Sequence, residues 1–411
     1  MDMDIQKAQV NTLISLLGKS NLDNKTGYRV ACYRMPNGER RSTEYFGLAL
    51  AEHLQVRRMI LIGTASSMWD LLVENVAGDD AAEELRIMLF DAVRAGTVSE
   101  DLLGKLAPAI EQKVGRKVTP LVISSSVTFA EQQALLFRLE ELLQKDERVA
   151  LDLTHGFRHL AMLGLAASRY LSHERGVQVV GLYYGALDMT RDGITPVVTV
   201  DGLAHLLEWA EAFEAYDASG DFSRFAPLLK RDGLAHEAAD ALERAWGLLQ
   251  VSNVSDAART LYSAWKKLES PLTGASELFR KRLQKALRWC QAQQLSEKLR
   301  LLALQSLGRG DVLRAAVFGF ECTLVREVEE AGGNPLDYEQ RKAADDRLQE
   351  AFKGGEEGPD WKRHAYWLLK NVRNACAHSA PPRNTKHAEL MRNPERLRRE
   401  LDATLNRLTN T

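Results

Sequence analysis

Up to about residue 203 the apolar positions fall into short runs, many of them β-branched, each closed by a polar or glycine-bearing loop. Thr12 to Leu17 is the first and closes on Gly18-Lys19-Ser20-Asn21. Tyr28 to Tyr33 and the stretch beyond Pro36-Asn37-Gly38 form a predicted hairpin. Arg58 to Ile62 ends at Gly63-Thr64-Ala65-Ser66-Ser67, Val118 to Ile123 at Ser124-Ser125-Ser126, Val149 to Leu153 at Thr154-His155-Gly156, and Val177 to Tyr184 at Gly185. Amphipathic segments such as Glu131 to Leu143 and Phe157 to Leu171 lie between them. Strands alternating with helices predict a mainly parallel α/β sheet covered on both faces. Ligands of such sheets bind beyond the carboxyl ends of the strands, where strand order reverses. Here those ends carry Gly, Ser, Thr and His, a rim of backbone N–H groups and hydroxyls suited to phosphate.

Past Gly202 the period changes from two to about three and a half. Leu203 to Tyr216, Glu237 to Leu249, Ala257 to Leu268, Glu297 to Leu307, Val312 to Ala331 and Ala365 to Ala377 all repeat apolar residues at helical spacing. The second half is expected to be all-α. Gly332-Gly333-Asn334-Pro335 and Gly354 to Pro359 are expected as exposed loops. The expected domains are 1–203 and 204–411, with 204–335 left open as an additional helical module.

The length of 411 residues suits about two domains. A formal charge of −2 excludes a uniformly basic nucleic-acid coat, but the charge is uneven. From Trp361 to Thr411 there are 11 basic and 4 acidic residues, so the rest of the chain carries −9. A polyanion could be handled near the C-terminus, although a solvated basic helix face gives the same count. The four cysteines form no CxxC pair, which argues against a zinc ribbon or a disulfide framework. No apolar run approaches the ~20 residues of a membrane span, and Met1-Asp2-Met3-Asp4 is acidic where a signal peptide is basic. A cytoplasmic protein with no membrane partner is the expectation.

Leu151-Asp152-Leu153-Thr154-His155-Gly156-Phe157-Arg158-His159 stands where a strand turns into a helix. Thr154 is placed near the helix N-cap, Gly156 permits a tight turn, and His155 and Arg158 beside free N–H groups make an anion site. A metal held by His155 and His159 lacks a third ligand in register, a buried structural Asp152 is an alternative, and the turn could be a plain cap. Near the C-terminus, Arg373-Asn374-Ala375-Cys376-Ala377-His378 lies on a predicted helix stopped by Pro381-Pro382. An Arg with a His suits phosphodiester cleavage. Imidazole exchanges a proton with a 2′-hydroxyl or a leaving oxygen, and guanidinium stabilises the crowded phosphorane. A slight distortion at the helix end is expected to bring Arg373 and His378 to one side. Arg231 to His236 has the same spacing but spans Gly233, like a joint between helices. One pair supplies acid or base but not both, so a two-fold dimer with two Arg and two His in one cleft is expected.

Together these features resemble the CARF–HEPN ribonucleases that accompany type III CRISPR systems. Asp152-Leu153-Thr154-His155-Gly156-Phe157-Arg158 is similar to the Asp-x-Thr-His-Gly-Phe-Arg signature of one branch. Arg373 to His378 resembles the HEPN Arg-x4–6-His motif with its polar residue after Arg. The resemblance implies a Rossmann-like CARF domain that senses cyclic oligoadenylate, the four-membered ring being expected, and a HEPN domain that cleaves single-stranded RNA without metal or other cofactor. It implies a homodimer, or an oligomer of dimers, that does not act on DNA. It makes Arg373 and His378 catalytic with Asn374 in support. It maps Gly18, Lys19, Ser20, Asn21, Thr64, Ser66, Ser67, Met68, Trp69, Thr154, His155, Gly156 and Arg158 to the ligand rim. Two other functions stay open: a non-catalytic sensor that recruits a partner, and a CARF rim that also degrades its ligand.

Overall fold

The computed structural model describes residues 10–19, 28–74, 76, 80–124, 127–354 and 360–409. Ser20, Asn21, Ser125, Ser126 and residues 355–359 of the expected loop lie outside the described residues. The chain divides into two compact units, Met1–Ala204 and His205–Thr411.

Among the described residues the first unit is an α/β sheet of eight strands: β1 (Thr12–Leu17), β2 (Ala31–Arg34), β3 (Arg40–Thr43), β4 (Arg58–Thr64), β5 (Lys117–Ile123), β6 (Arg148–Asp152), β7 (Gln178–Gly185) and β8 (Ile194–Thr199). Their order is β3-β2-β8-β7-β6-β1-β4-β5. Pairing is parallel except for the β2–β3 hairpin and the β7–β8 pair. Alternation along each central strand feeds two cores. Leu13, Leu17, Met59, Leu61 and Ala150 point to the face covered by Phe46, Leu50, Trp69, Leu72, Leu89 and Ile110. Ile14, Leu16, Ile60, Ile62, Val149 and Leu151 point to the face covered by Leu135, Leu139, Leu160 and Leu171. The expected two-sided sheet is therefore present. The hydrophobic pattern missed β8, because Pro196 in a short run argues against a strand. In the fold β8 still joins β2 to β7. After β1 the chain builds β4 and β5 on one side, then crosses to β6 on the other, so strand order reverses beside β1.

Among the described residues the second unit is all helical. One hydrophobic core runs from Trp209 to Leu408 and includes the helices on both sides of residue 335. At its centre the helices Leu295–Arg309 and Val312–Glu330 form a tight hairpin. Gly310 takes the left-handed turn at φ +84, and Asp311 caps the second helix by accepting the Arg314 N–H at 2.9 Å. Helix Asp360–His378 lays Ala365, Tyr366, Leu368, Leu369, Val372 and Ala375 into this core. Tyr338–Gly354 was not foreseen as a helix because only Ala344 and Phe352 of its described residues are buried apolar positions, too few to set a period.

Helix Val312–Glu330 passes close to two others at Gly319. A Cβ there would lie 2.8 Å from side-chain carbons of both Leu369 and Leu405. Gly319→Ala should therefore cost ~1–3 kcal/mol by overpacking, despite the gain in helix propensity. Gly247→Ala, in a helix with open space around the site, should stabilise by up to ~1 kcal/mol. Urea denaturation of both variants checks the pair, and a destabilised Gly247→Ala beside an unaffected Gly319→Ala would contradict this packing.

Candidate functional site

Ser15 and Asp152 are register partners on β1 and β6, and both are buried. Polar groups at such positions need internal partners. Ser15 Oγ donates to Asp152 Oδ2 at 2.6 Å and shares a hydrogen bond with the Tyr45 hydroxyl. The second carboxylate oxygen accepts the Thr154 N–H at 2.9 Å, folding the chain back over the strand end. Thr154 Oγ1 then accepts the Gly185 N–H at the end of β7, 2.8 Å away. His155 Nε2 accepts the Phe46 N–H at 3.4 Å, and its ring lies 5.5 Å from that of Tyr45. Gly156 turns at φ +93. A Cβ on Gly18 would come 2.7 Å from the Gly156 nitrogen, so the loops after β1 and β6 lie backbone against backbone.

The loop after β4 is tied to the same place. Ser67 Oγ donates to the Leu17 carbonyl at 2.6 Å and accepts the Thr64 N–H at 2.9 Å. Met68 N–H donates to the Gly18 carbonyl at 3.0 Å, and Trp69 Nε1 donates to the Thr64 carbonyl at 2.8 Å. The structure thus brings Gly18, Lys19, Thr64, Ser66, Thr154, His155, Gly156 and Arg158 to the carboxyl ends of three adjacent strands. Two expectations change here. Ser67, Met68 and Trp69 are buried, so they form the floor that holds the loop rather than its exposed edge. Thr154 does not cap the following helix: Phe157 occupies the N-cap without a side-chain bond, and Thr154 pins β7 instead.

Charge at the rim also differs from expectation. Burial pushes His155 below its ordinary value, with Asp152 opposing, while burial pushes Asp152 up. His155 is a neutral brace whose Nε2 is an acceptor, so its proton sits on Nδ1. Lys19 and Arg158 are exposed and make no ion pair among the described residues, which leaves them as the rim's cations. Sequence reasoning missed Tyr45 and Phe157. Tyr45 gives no local signal, being placed by its bond to Ser15. Phe157 is exposed and stacks on His159 at 5.6 Å; an apolar ring at a glycine turn was the available clue.

In the second unit, helix Asp360–His378 closes with Ser379 in the left-handed region at φ +51 and the Ala380 N–H on the Ala375 carbonyl at 3.2 Å, a Schellman arrangement. The helix therefore stops before the proline pair. Arg373 donates through Nε and Nη2 to Asn374 Oδ1 at 3.1 and 2.9 Å. Its guanidinium lies 4.4 Å from the Phe320 ring centroid. No carboxylate pairs with Arg373 among the described residues, so its charge is free to meet a phosphate. His378 is exposed at the last helical position. The helix stays regular through His378, so the expected distortion is absent. Five residues place the two side chains ~140° apart and ~7.5 Å along the axis. Within one chain they diverge.

Arg231 and His236 have a structural task. Arg231 pairs with Glu208 and donates to His205, and buried Asp232 accepts the Ser276 N–H at 2.7 Å and Trp209 Nε1 at 3.4 Å. Gly233 turns at φ +89 and His236 opens the next helix, so the segment is a joint.

Residues 12–188 match the family described as "CRISPR system endoribonuclease Csx1, CARF domain". The chain is also similar to CRISPR-associated protein MJ1674 of Methanocaldococcus jannaschii, 26% identical over 258 residues, which cover 57% of this chain. It spans 40% of that relative's length.

The partly buried histidine gives the rim a pH dependence of definite sign. As pH falls through the ordinary value of 6.5, the unfolded chain takes up a proton that folded His155 resists, so stability falls. Asp152 contributes with the opposite sign above 3.8, and a His155→Gln variant loses the neighbour that holds Asp152 down, which widens the difference from wild type in the same direction. Urea titrations at about pH 7.5 and about pH 5.5 should show wild type losing more stability on acidification than His155→Gln. Equal losses would mean that His155 titrates as freely in the fold as outside it.

Proposed function

We propose that this chain, a CARF-containing accessory protein of type III CRISPR systems, is a cyclic-oligoadenylate-activated endoribonuclease that works as a homodimer on single-stranded RNA without a metal. The observation that carries this reading is Arg373: a cation with no carboxylate partner among the described residues, held over Phe320 on the same helix as an exposed histidine. Unpaired guanidinium is matched to the charge that builds on phosphorus in the transition state. His378 takes the proton of a 2′-hydroxyl, the 2′-oxygen bonds to phosphorus, and the 5′-oxygen leaves with a proton. The product is a 2′,3′-cyclic phosphate. Acid and base cannot be one imidazole in a single step. The ~140° divergence within one chain supports a second copy as the source of the other His.

The rim at the carboxyl ends of β1, β4 and β6 is the proposed seat of the activator. Lys19 and Arg158 supply two cations per chain, so a dimer offers four, one for each phosphate of cyclic tetra-adenylate. His155 contributes its neutral Nδ1–H rather than charge. Activation requires the ligand to prefer the dimer geometry in which cleavage is competent, and the gain is bounded by that preference.

RNA cleavage with and without cyclic oligoadenylates tests the proposal. Cleavage should rise with the four-membered ring, persist in EDTA and leave cyclic phosphate ends. Arg373→Ala and His378→Ala should each lower turnover by ~10²- to 10⁴-fold while ligand binding is retained, and His236→Ala should match wild type. Ligand binding without RNA cleavage would point to a sensor that recruits a partner. Recovery only on adding magnesium would refute the proposed chemistry.

A further inference from the structure

The second unit contains a cleft of about 640 Å³ beside Arg373. Its walls come from Ser252 and Asn253, from Phe320 and Glu321, from the Leu336–Asp345 segment and from Arg373. That volume is within the ~300–1,000 Å³ range of small-molecule sites. We propose that this cleft is a nucleotide subsite for the RNA substrate, with Tyr338 as the platform for a base and Lys342 and Arg373 as the phosphate contacts. The inference rests on the ribonuclease reading above and adds to it the place where the strand is gripped.

Three features favour a nucleotide. First, Tyr338 is 69% exposed and has no ring or hydrogen-bond partner among the described residues, so a large aromatic face stands in water at the cleft edge. Unpaired bases stack on such faces whatever their sequence, whereas bases inside a duplex are already stacked. Second, the free charge in the lining is positive. Glu321 is paired with Arg341 at 3.3 Å, and Asp345 is neutralised by Lys370 at 2.9 Å and by the Tyr366 hydroxyl. Lys342, one turn beyond Tyr338, and Arg373 make no ion pair among the described residues. Third, Arg373 belongs both to this wall and to the proposed catalytic helix, so a strand lying along the cleft leads to the reacting phosphate. A second copy filling this cleft would bury both cations unpaired, which phosphates would instead neutralise, whereas the partner required above only has to bring its His378 to the Arg373 end.

The test uses the full chain and a short, 2′-O-methylated single-stranded RNA that cannot be cleaved, followed by fluorescence anisotropy. Tyr338→Ala should weaken binding about ten-fold and raise KM for cleavable RNA by a similar factor, and Tyr338→Phe, which keeps the ring, should restore both. Wild-type affinity in Tyr338→Ala, with cleavage intact, overturns the subsite and leaves the ribonuclease reading standing. Tyr338-dependent binding by a protein that never cleaves RNA does the reverse. Loss of dimers in Tyr338→Ala, seen by sedimentation, would assign the cleft to a second copy and overturn the proposal. Absence of RNA binding by wild type overturns both.

Discussion

A carboxylate buried between two parallel strands sets the terms for the sheet domain. Asp152 sits at the carboxyl end of β6, where burial opposes its charge, and it is tolerated because Ser15 on β1 and the Thr154 N–H both donate to it. Leaving one such donor or acceptor unmet costs ~1–3 kcal/mol. The network therefore fixes more than one side chain. It sets the turn that carries Thr154, His155 and Gly156, it holds Tyr45 at the start of the helix Phe46–Leu54, and through Thr154 it fastens the end of β7. The backbone approach of Gly18 to Gly156 follows from the same register. Loops that would otherwise wander are tied to strand ends.

The helical domain solves a different problem, which is to keep a cation available. Several of its arginines are matched to carboxylates, as Arg231 is to Glu208 and Arg300 to Glu297. Arg373 is held by an amide oxygen and an aromatic face, neither of which cancels its charge. Lys370, one turn earlier, shows the contrast: it is bound by Asp345, Gln349 and the Tyr366 hydroxyl and serves the packing of three helices. Two basic residues a turn apart on one helix thus have opposite fates, decided by which neighbour the adjoining helix presents.

Much of this was legible in the chain. Period-two runs closed by Gly, Ser and Thr located β1, β4, β5, β6 and β7 to within a residue or two, because alternation and turn chemistry are local properties. The change of period near residue 203 marked the passage from sheet to helices for the same reason. Strand β8 escaped because Pro196 argues against a strand when the partners that accommodate it are unseen. Helix Tyr338–Gly354 escaped because it buries little, and with it went the cleft beside Arg373.

At the sites, the local pattern records which chemistry is present: Thr154, His155 and Arg158 at a strand-to-helix turn, and Arg373 with His378 on one helix. What each group does follows from its neighbours in the fold. Burial holds His155 toward its neutral form against the pull of Asp152, Met68 and Trp69 are floor because the sheet closes over them, and Arg373 has no acid partner among the described residues because Phe320 lies opposite. Charge state and exposure are properties of a surrounding assembled from residues far apart in the chain, and no local pattern records them.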